Sequence, residues 1–254
     1  MDTIEFRPGL LIPIYDHGDT IETLVDRLAD HGLPIYIVDD GSGLATQTAL
    51  ARVALRYPQV RLARLAQNQG KGAAVMHGLR LAHAAGLTHA LQVDADGQHD
   101  TRDVPHFLER GKARPTAVVC GQPIYDESAP KARLYGRYIT HIWVWIETLS
   151  FAIKDSMCGF RLYPLAAACA LLDQVAMPRR MDFDIAVLVR LAWMGVPLES
   201  VPTRVSYPAG GVSHFDMWRD NARISMMHTQ LVCGMLLRMP ILLRRKLASA
   251  WGRS

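Results

Sequence analysis

The sequence predicts an α/β protein with a single Rossmann-like, mostly parallel sheet flanked by helices. Three observations favour this fold class: short apolar runs alternate with segments of helical spacing, the connections are short, and half of the 254 residues are apolar. Charged residues make up 20 %, which excludes global disorder. We expect one domain over residues 1–219, followed by a basic, apolar tail of amphipathic helices over residues 220–254.

Six apolar runs have the length of buried strands and are bounded by turn residues such as Gly, Pro and Asp. They lie at residues 9–14, 35–38, 60–65, 88–93, 116–120 and 195–206. Helical segments separate the first five runs, so we expect parallel pairing. Ligands of such sheets bind beyond the carboxyl ends of the strands.

Helical spacing of apolar residues marks the segments between these runs. Residues 19–22 resemble a capping box, and an apolar helical face follows at Ile21, Leu24, Val25 and Leu28. Further helices are predicted at 44–56, 73–85, 104–113, 132–153, 165–172 and 182–193. Residues 155–164 and 208–214 are predicted as loops, and the tail as helical from Asp220 with a break at Pro240.

Charge is unevenly distributed, with a net charge of +4 and no Asp or Glu after Asp220. A basic, apolar tail fits an anionic membrane surface, although a basic surface helix has the same composition. The longest uncharged stretch, residues 224–237, is shorter than the ~18–20 residues needed to cross a bilayer, so we expect no transmembrane helix. The opening residues lack the pattern of a signal peptide. We therefore expect a cytoplasmic protein, peripheral on the inner face of the cell membrane.

Other partners are restricted by composition. The four cysteines form no CxxC pair, which favours buried free thiols over disulfides or a zinc site. Basic residues are not interleaved with aromatic ones on a recognisable module, so we expect no nucleic-acid partner. The composition is compatible with a homo-oligomer.

Asp94 and Asp96 follow the strand predicted at 88–93 and form the most informative motif. Side chains repeat with period 2 on an extended chain, so the two carboxylates can face the same way. Such a pair suits Mg²⁺ or Mn²⁺ bridging two phosphates, with Gln98 as a further oxygen ligand. The alternative is a polar loop tip whose acids cap a helix.

Two further motifs follow the second and third strands. Asp39 and Asp40 can accept hydrogen bonds from a base or ribose, or they can cap the helix that begins near Leu44. Gly70 and Gly72 flank Lys71 at a helix start, where free N–H groups and the ammonium favour phosphate. The alternative there is a tight turn with close helix–sheet packing.

The second half supplies candidates for proton transfer and for closure of the site. Asp182 and Asp184 stand at a helix start and are the best candidates for a general base, although acids are favoured there by the helix dipole anyway. His214 lies in a glycine-containing loop that could close over a donor, although a lone His is more often structural.

Taken together, these motifs resemble glycosyltransferase family 2, whose members are inverting enzymes with the A-type nucleotide-sugar fold. The resemblance is carried by residues 11–15, 37–42, 68–74, 94–99, 155–161 and 181–184, in the family's order and spacing. Within the family, the chain is most similar to the polyprenyl-phosphate branch, which includes dolichol-phosphate mannose synthases. A group associated with aryl-polyene lipid assembly is a related alternative.

The resemblance implies roles for individual residues. It assigns the donor to Pro13, Tyr15, Asp39 or Asp40, Lys71, Asp94, Ala95 and His214, and the metal to Asp94, Asp96 and Gln98. It assigns the catalytic roles to Asp96 and to Asp184 or Asp182, and the acceptor side to Gly159, Phe160 and Arg161. Gln122 stands where this branch tends to place an Arg, so recognition of an acceptor phosphate would fall to Lys131, Arg133 or Arg137.

The function implied is inverting transfer of a sugar from a nucleotide-sugar donor to a lipid-linked acceptor, a polyprenyl phosphate or another lipid, with Mg²⁺ or Mn²⁺ as cofactor. Two alternatives remain at this point. A nucleotidyltransferase also joins a parallel sheet to a metal-bound diphosphate, but its first loop is usually rich in Gly and basic residues. An inactive nucleotide-sugar-binding scaffold would share the fold without the chemistry.

Overall fold

The computed structural model describes residues 5–125, 131–206 and 217–251, without the side chains of residues 131–134 and 249–251. Its seven-stranded sheet has the order β3-β2-β1-β4-β6-β5-β7. The strands are β1 (Pro8–Ile14), β2 (Ile35–Asp39), β3 (Val60–Arg64), β4 (His89–Gln92), β5 (Val118–Tyr125), β6 (Arg161–Pro164) and β7 (Leu198–Val205). The helices are α1 (Gly18–Ala29), α2 (Leu44–Arg56), α3 (Lys71–Ala84), α4 (Val104–Ala113), α5 (Lys131–Thr148), α6 (Leu165–Gln174), α7 (Phe183–Met194) and α8 (Met217–Trp251).

The predicted fold class is confirmed. Strands β1 to β4 are all parallel, and their buried apolar side chains pack on helices at both faces of the sheet. Helices α1, α2 and α4 cover one face, and α3, α6, α7 and α8 cover the other. Both faces of the central strands are therefore shielded from water by helices, and polar side chains are accommodated at the carboxyl ends of the strands.

Strand β6 lies where the sequence predicted a loop. It pairs antiparallel with both β4 and β5 and so separates these two parallel strands. The prediction was wrong because four residues that begin with Arg161 and end with Pro164 show neither an apolar run nor an alternating pattern. Only long-range pairing in the folded chain makes this segment a strand.

Helix α8 continues through Pro240, so the predicted break and the division into several helices were wrong. Buried side chains on both sides of the proline, Met235 and Leu242, pack in the core and hold the two parts in line. Residues 217–248 are long and apolar enough to cross a membrane, and 28 % of the most apolar window is buried in the protein. The sequence-based expectation of no such helix was too restrictive, because it counted only the uncharged residues 224–237 and the helix remains apolar on average when a few charged residues are included.

Two local expectations also need correction. Helix α1 begins at Gly18 without a side-chain cap, and the Thr20 hydroxyl instead donates to the Ala95 carbonyl at 2.5 Å. This bond ties α1 to the loop that follows β4. The cysteines are free, as expected, but Cys233 is exposed whereas the other three are buried.

Candidate active site

A cavity of about 430 Å³ opens at the carboxyl ends of β1, β2 and β4. It brings together seven of the residues that the sequence predicted for donor and metal: Pro13, Tyr15, Asp40, Lys71, Asp94, Ala95 and Asp96. These residues come from three separate strand ends and one helix start, so the sheet topology itself assembles the site.

Lys71 is the centre of the charge network at this cavity. Its Nζ donates to Asp94 Oδ2 and to Asp184 Oδ2, at 2.8 Å in each case. Burial lowers the pKa of the ammonium, but the two facing carboxylates outweigh it and hold this pKa above its ordinary value. Lys71 therefore stays charged at neutral pH.

Lys71 is placed by a backbone turn that only glycine permits. Gly70, just before α3, has φ of +103°, and a Cβ there would lie 2.5 Å from the Arg179 carbonyl oxygen. Gly72 is equally crowded, since its Cβ would lie 2.5 Å from Phe183 Cβ. The alternative of a tight, closely packed turn is therefore present, and packing of the α3 start on the loop before α7 brings Lys71 to Asp184. Phosphate binding by this motif stays a prediction.

Asp94 is held from several sides. Gln92 Nε2 donates to its Oδ1 at 3.1 Å, and His99 Nε2 lies 3.6 Å from its Oδ2. Burial raises the pKa of this carboxyl, but Lys71 and His99 more than offset burial and keep the pKa below its usual range. Gly159 packs directly against the carboxylate, because a Cβ at this position would lie 2.3 Å from Asp94 Oδ2.

Asp96 is the carboxylate with the fewest internal contacts in the cavity. Its Oδ1 accepts the Gln98 backbone N–H at 3.0 Å, which orients the group in the turn after β4. Together with Asp94 it offers the hard oxygen ligands that Mg²⁺ and Mn²⁺ prefer. The donor set therefore fits a divalent cation that takes its remaining ligands from a bound diphosphate and water.

Gln98 does not join this pair. It lines a second, neighbouring cavity of about 820 Å³ together with Tyr125 and Arg204, so the structure does not support its assignment as a metal ligand. Within the described residues, no group of three or more His, Cys, Asp or Glu side chains is arranged to hold a metal ion. Among the described residues, the cavity offers a cation the neighbouring carboxylates of Asp94 and Asp96, and Asp94 already pairs with Lys71.

Asp39 and Asp40 differ in position. Asp39 is buried away from the cavity and accepts the Ser42 N–H at 2.8 Å in the turn before α2. Helix α2 has Gly43 at its N-cap and no side-chain cap, so the capping alternative was wrong for this residue. Asp40 lines the cavity, and its two oxygens accept the N–H groups of Gln69 and Gly70 at 2.8 and 2.7 Å. Burial raises the pKa of Asp40 against these bonds. Asp40 therefore fixes the turn that carries Lys71.

The two acids at the start of α7 have different surroundings. Asp184 is buried. Its Oδ2 accepts a hydrogen bond from Lys71 Nζ, and its Oδ1 has no hydrogen-bond partner among the described residues. Asp182 occupies the N-cap position but its side chain makes no capping bond, and burial raises its pKa. Only Asp184 is connected to the cavity, through Lys71.

The predicted acceptor residues are mostly internal. Phe160 and Arg161 are completely buried, so neither can contact a molecule in the cavity. The Arg161 guanidinium donates to the backbone carbonyls of Ser156, Cys158 and Asp184. These bonds hold the loop before β6 and the start of α7 together beneath the site. Its assignment as an acceptor ligand was wrong because sequence cannot show that this cation satisfies buried carbonyls.

Arg137 is also engaged internally. Its Nε and Nη2 donate to the two oxygens of Asp155 at 2.6 and 2.7 Å, and His141 Nε2 lies 3.4 Å from the same carboxylate. Burial opposes the charge of Asp155, but His141 and Arg137 hold its pKa below its usual range. The side chains of Lys131 and Arg133, and the whole of His214, lie outside the described residues.

Several residues of the cavity were not predicted. They are His17, Asn68, Arg180, Met181 and Asp220. Arg180 Nη1 donates to Asn68 Oδ1 at 3.2 Å, which links the loop before α7 to the loop before α3. The sequence did contain a signal for Arg180, because two consecutive arginines, Arg179 and Arg180, stand close to the candidate base Asp182. Asp220 carries no such signal, since it reaches the cavity only through the docking of α8.

The mostly parallel sheet, with polar side chains at the carboxyl ends of its strands, has the architecture of the A-type nucleotide-sugar fold. The Glycosyl transferase family 2 model matches residues 10–177, and the chain belongs to that family. A dolichyl-phosphate beta-glucosyltransferase of Dictyostelium discoideum is 28 % identical over 66 % of this chain and 53 % of its own length. A second relative of that name, from Trichomonas vaginalis, is 33 % identical over 73 % of this chain and 59 % of its own.

Another relative is a UDP-N-acetylglucosamine–dolichyl-phosphate N-acetylglucosaminyltransferase of Methanococcus voltae, 25 % identical over 79 % of this chain and 88 % of its own length. The predicted similarity to the polyprenyl-phosphate branch is confirmed by these relatives. The chain spans only 53 % and 59 % of the length of the first two, so their activity is not transferred to it directly.

Solved structures confirm the fold. Glucosyl-3-phosphoglycerate synthase of Mycobacterium tuberculosis, in complex with Mn²⁺ and UDP-glucose, superposes with a TM-score of 0.64 at 14 % identity, covering 92 % of this chain and 79 % of that one. A mannosyltransferase of Pyrobaculum calidifontis, in complex with GDP-mannose and Mn²⁺, gives a TM-score of 0.57 at 19 % identity, covering 89 % of this chain and 64 % of that one.

Proposed function

We propose that this chain is an inverting glycosyltransferase that moves a sugar from a nucleotide-sugar donor to a lipid-linked acceptor, with a polyprenyl phosphate as the favoured acceptor. The observation that carries the proposal is the position of Asp94, Asp96 and Lys71 at one cavity beyond the carboxyl end of β4. Relatives named as dolichyl-phosphate sugar transferases support the acceptor class. Neighbours solved with nucleotide sugars and Mn²⁺ support the donor and the metal.

The donor diphosphate is assigned to the side of the cavity that carries Lys71 and the two acids. Mg²⁺ or Mn²⁺, when bound to Asp94 and Asp96, supplies positive charge for the diphosphate leaving group. Tyr15, Pro13 and Asp40 line the remaining part of the cavity, to which we assign the nucleoside. The chain's own contribution is to hold these charges in place before reaction begins.

The proposed step is a direct displacement. An acceptor oxygen forms a bond to the anomeric carbon as the bond from this carbon to the diphosphate oxygen breaks on the opposite face. A phosphate acceptor is already anionic and needs no base, whereas a hydroxyl acceptor must lose a proton to Asp184. The Oδ1 of Asp184 is buried and accepts no hydrogen bond from the described residues, so it has the capacity to accept that proton once a hydroxyl reaches it.

A membrane surface is the second part of the proposal. Apolar side chains on α5 and α8 are exposed on the same side of the sheet: Tyr138, Ile139, Ile142, Trp143, Ile146, Trp218, Met226, Leu236, Leu237, Ile241 and Leu247. Arginines of α8 lie between them, as expected for contact with anionic lipid. We assign this surface to the inner face of the cell membrane, where a lipid acceptor would be presented.

Vesicle flotation tests the surface. Replacing the exposed Trp218 and Leu237 by Ser should lower the fraction that floats with anionic vesicles by about tenfold, because each loses apolar area that enters the interface. Leu55→Ser, on the opposite side of the sheet and equally exposed, is the matched control. Equal flotation of the wild type, the variant carrying both Ser substitutions and Leu55→Ser would contradict the membrane assignment. If size-exclusion chromatography shows a dimer for the wild type and a monomer for the variant with both substitutions, the surface belongs to an interface with a second copy of the chain.

A donor and acceptor screen tests the activity. UDP-glucose, UDP-N-acetylglucosamine and GDP-mannose are each incubated with Mn²⁺ and either polyprenyl phosphate or the corresponding polyprenol, and the products are identified by mass spectrometry. A glycosyl polyprenyl phosphate is the expected product. Release of pyrophosphate from a nucleoside triphosphate would instead indicate a nucleotidyltransferase, and donor binding without product in any combination would indicate an inactive scaffold.

A further inference from the structure

We infer that Lys71 occupies the cation position of the site until the donor binds, so that the divalent metal enters together with the donor diphosphate. This inference rests on the proposed function. It makes Lys71 a positioning residue that controls the order of binding, in addition to its place beside the nucleotide.

The geometry of the ammonium supports this role. Nζ of Lys71 lies 2.8 Å from one oxygen of Asp94 and 2.8 Å from one oxygen of Asp184. The exposed fractions of the three side chains are 18 %, 19 % and 6 %, so solvent screens the cluster poorly. Lys71 thus neutralises one of the two negative charges that it contacts, and it occupies the Asp94 oxygen that a metal ion would use.

The remaining ligands are too few to compete with the ammonium. Asp94 Oδ2, the oxygen in contact with Lys71, also faces His99 Nε2 at 3.6 Å. Asp96 is the other carboxylate, and the described residues contain no cluster of three acidic, His or Cys ligands. A divalent ion at Asp94 would therefore share a carboxylate with a second cation and find few other ligands, which is unfavourable in a partly buried site.

A diphosphate changes this balance. It brings negative charge and several oxygen ligands to the same cavity, so the ammonium and the metal no longer compete for one carboxylate. Lys71 gains an anionic partner besides Asp94, and Asp94 Oδ2 becomes available to the metal. The order of binding follows from charge alone and requires no movement of the backbone.

Direct measurement of Mn²⁺ binding without any donor tests the inference. Mn²⁺ affinity is determined by electron paramagnetic resonance or titration calorimetry for the wild-type chain, Lys71→Met and, as a matched control, the exposed Lys112→Met. We expect Lys71→Met to bind Mn²⁺ at least about tenfold more tightly than the wild type, because a nearby positive charge has been removed. Lys112→Met should bind like the wild type. General damage to the fold would weaken Mn²⁺ binding, so an increase reports on the ammonium specifically.

A second variant covers loss of folding. Lys71→Met leaves the partly buried Asp94 and the buried Asp184 without their ammonium partner, whereas Lys71→Met combined with Asp184→Asn keeps the net charge of the cluster unchanged and still frees Asp94. Its donor-free Mn²⁺ affinity should also exceed that of the wild type. Unchanged affinity in the folded variants, or tight donor-free binding by the wild type, would overturn the inference and leave the proposed function standing. Absence of Mn²⁺ binding by every protein, even with UDP present, would overturn both the metal assignment and the inference.

Discussion

The two sides of the molecule are built from different interactions. At the carboxyl edge of β1, β2 and β4, polar side chains contact each other at hydrogen-bond distance and line a cavity. On the side covered by α5 and α8, large apolar side chains are exposed, whereas the contacts of Arg137 with Asp155 and of His228 with Glu147 lie in the interior. Under the proposed function, charge at the edge of the sheet carries the chemistry, and the apolar surface of α5 and α8 is the part that contacts a membrane.

The largest effect is expected at the edge of the sheet. Asp94→Asn should reduce sugar transfer by about 1,000-fold, because it removes a carboxylate that holds both Lys71 and the proposed metal. Initial rates with labelled donor measure the change. Asp173→Asn, a surface acid paired with Arg80, is the control and should keep full activity. Comparable rates for the two variants would mean that the charge cluster is structural.

Arg161 offers a test of the opposite kind, since it supports the site without entering it. Arg161→Met should lower the free energy of unfolding by roughly 4 kcal/mol, because three buried carbonyls lose their donor. Urea denaturation measures this loss, with the half-exposed Arg80→Met as control. If Arg161→Met has the same unfolding free energy as Arg80→Met and a raised KM for the acceptor, Arg161 binds the acceptor after all.

Asp155 gives a smaller effect that depends on pH. Asp155→Asn should cost about 3 kcal/mol at pH 7, because Arg137 then remains buried without its partner. The pKa of Asp155 is lowered in the folded state, so its stabilising contribution is complete above the unfolded pKa of about 3.9 and is lost as pH falls below it. The wild type and the variant should therefore converge in acid.

Thermal or urea unfolding from pH 7 down to pH 2.5 measures this convergence. A stability difference that stays constant over the whole range would show that the effect of the substitution is not electrostatic. A difference that grows in acid would reverse the sign of the argument and show that the carboxylate is not held in its charged form.

What the sequence predicted well was local. The bounds of α2 and α4 were correct because apolar spacing and boundary residues lie within each segment. Asp94 and Asp96 were placed at the cavity because parallel strands bring their carboxyl ends to one edge. These inferences require only neighbouring residues and the general topology of an α/β sheet.

What the sequence could not show depends on contacts between distant segments. Lys71 and Asp184 are 113 residues apart and meet only because α3 packs on the loop before α7. The insertion of β6 between β4 and β5, and the burial of Arg161, follow from the same long-range pairing. The continuation of α8 through Pro240 reflects packing on both sides of the proline, which outweighs its local cost.

In the proposed function, the acids after β4 enable a nucleoside diphosphate to leave a sugar. The most direct measurement compares the wild-type chain with Asp96→Ala in one reaction containing nucleotide sugar, Mn²⁺ and polyprenyl phosphate, with both products quantified by mass spectrometry. The wild type should release one nucleoside diphosphate for each glycosyl lipid formed, and the variant should form neither while unfolding at the same temperature. Equal amounts of glycosyl lipid from both proteins would contradict the claim.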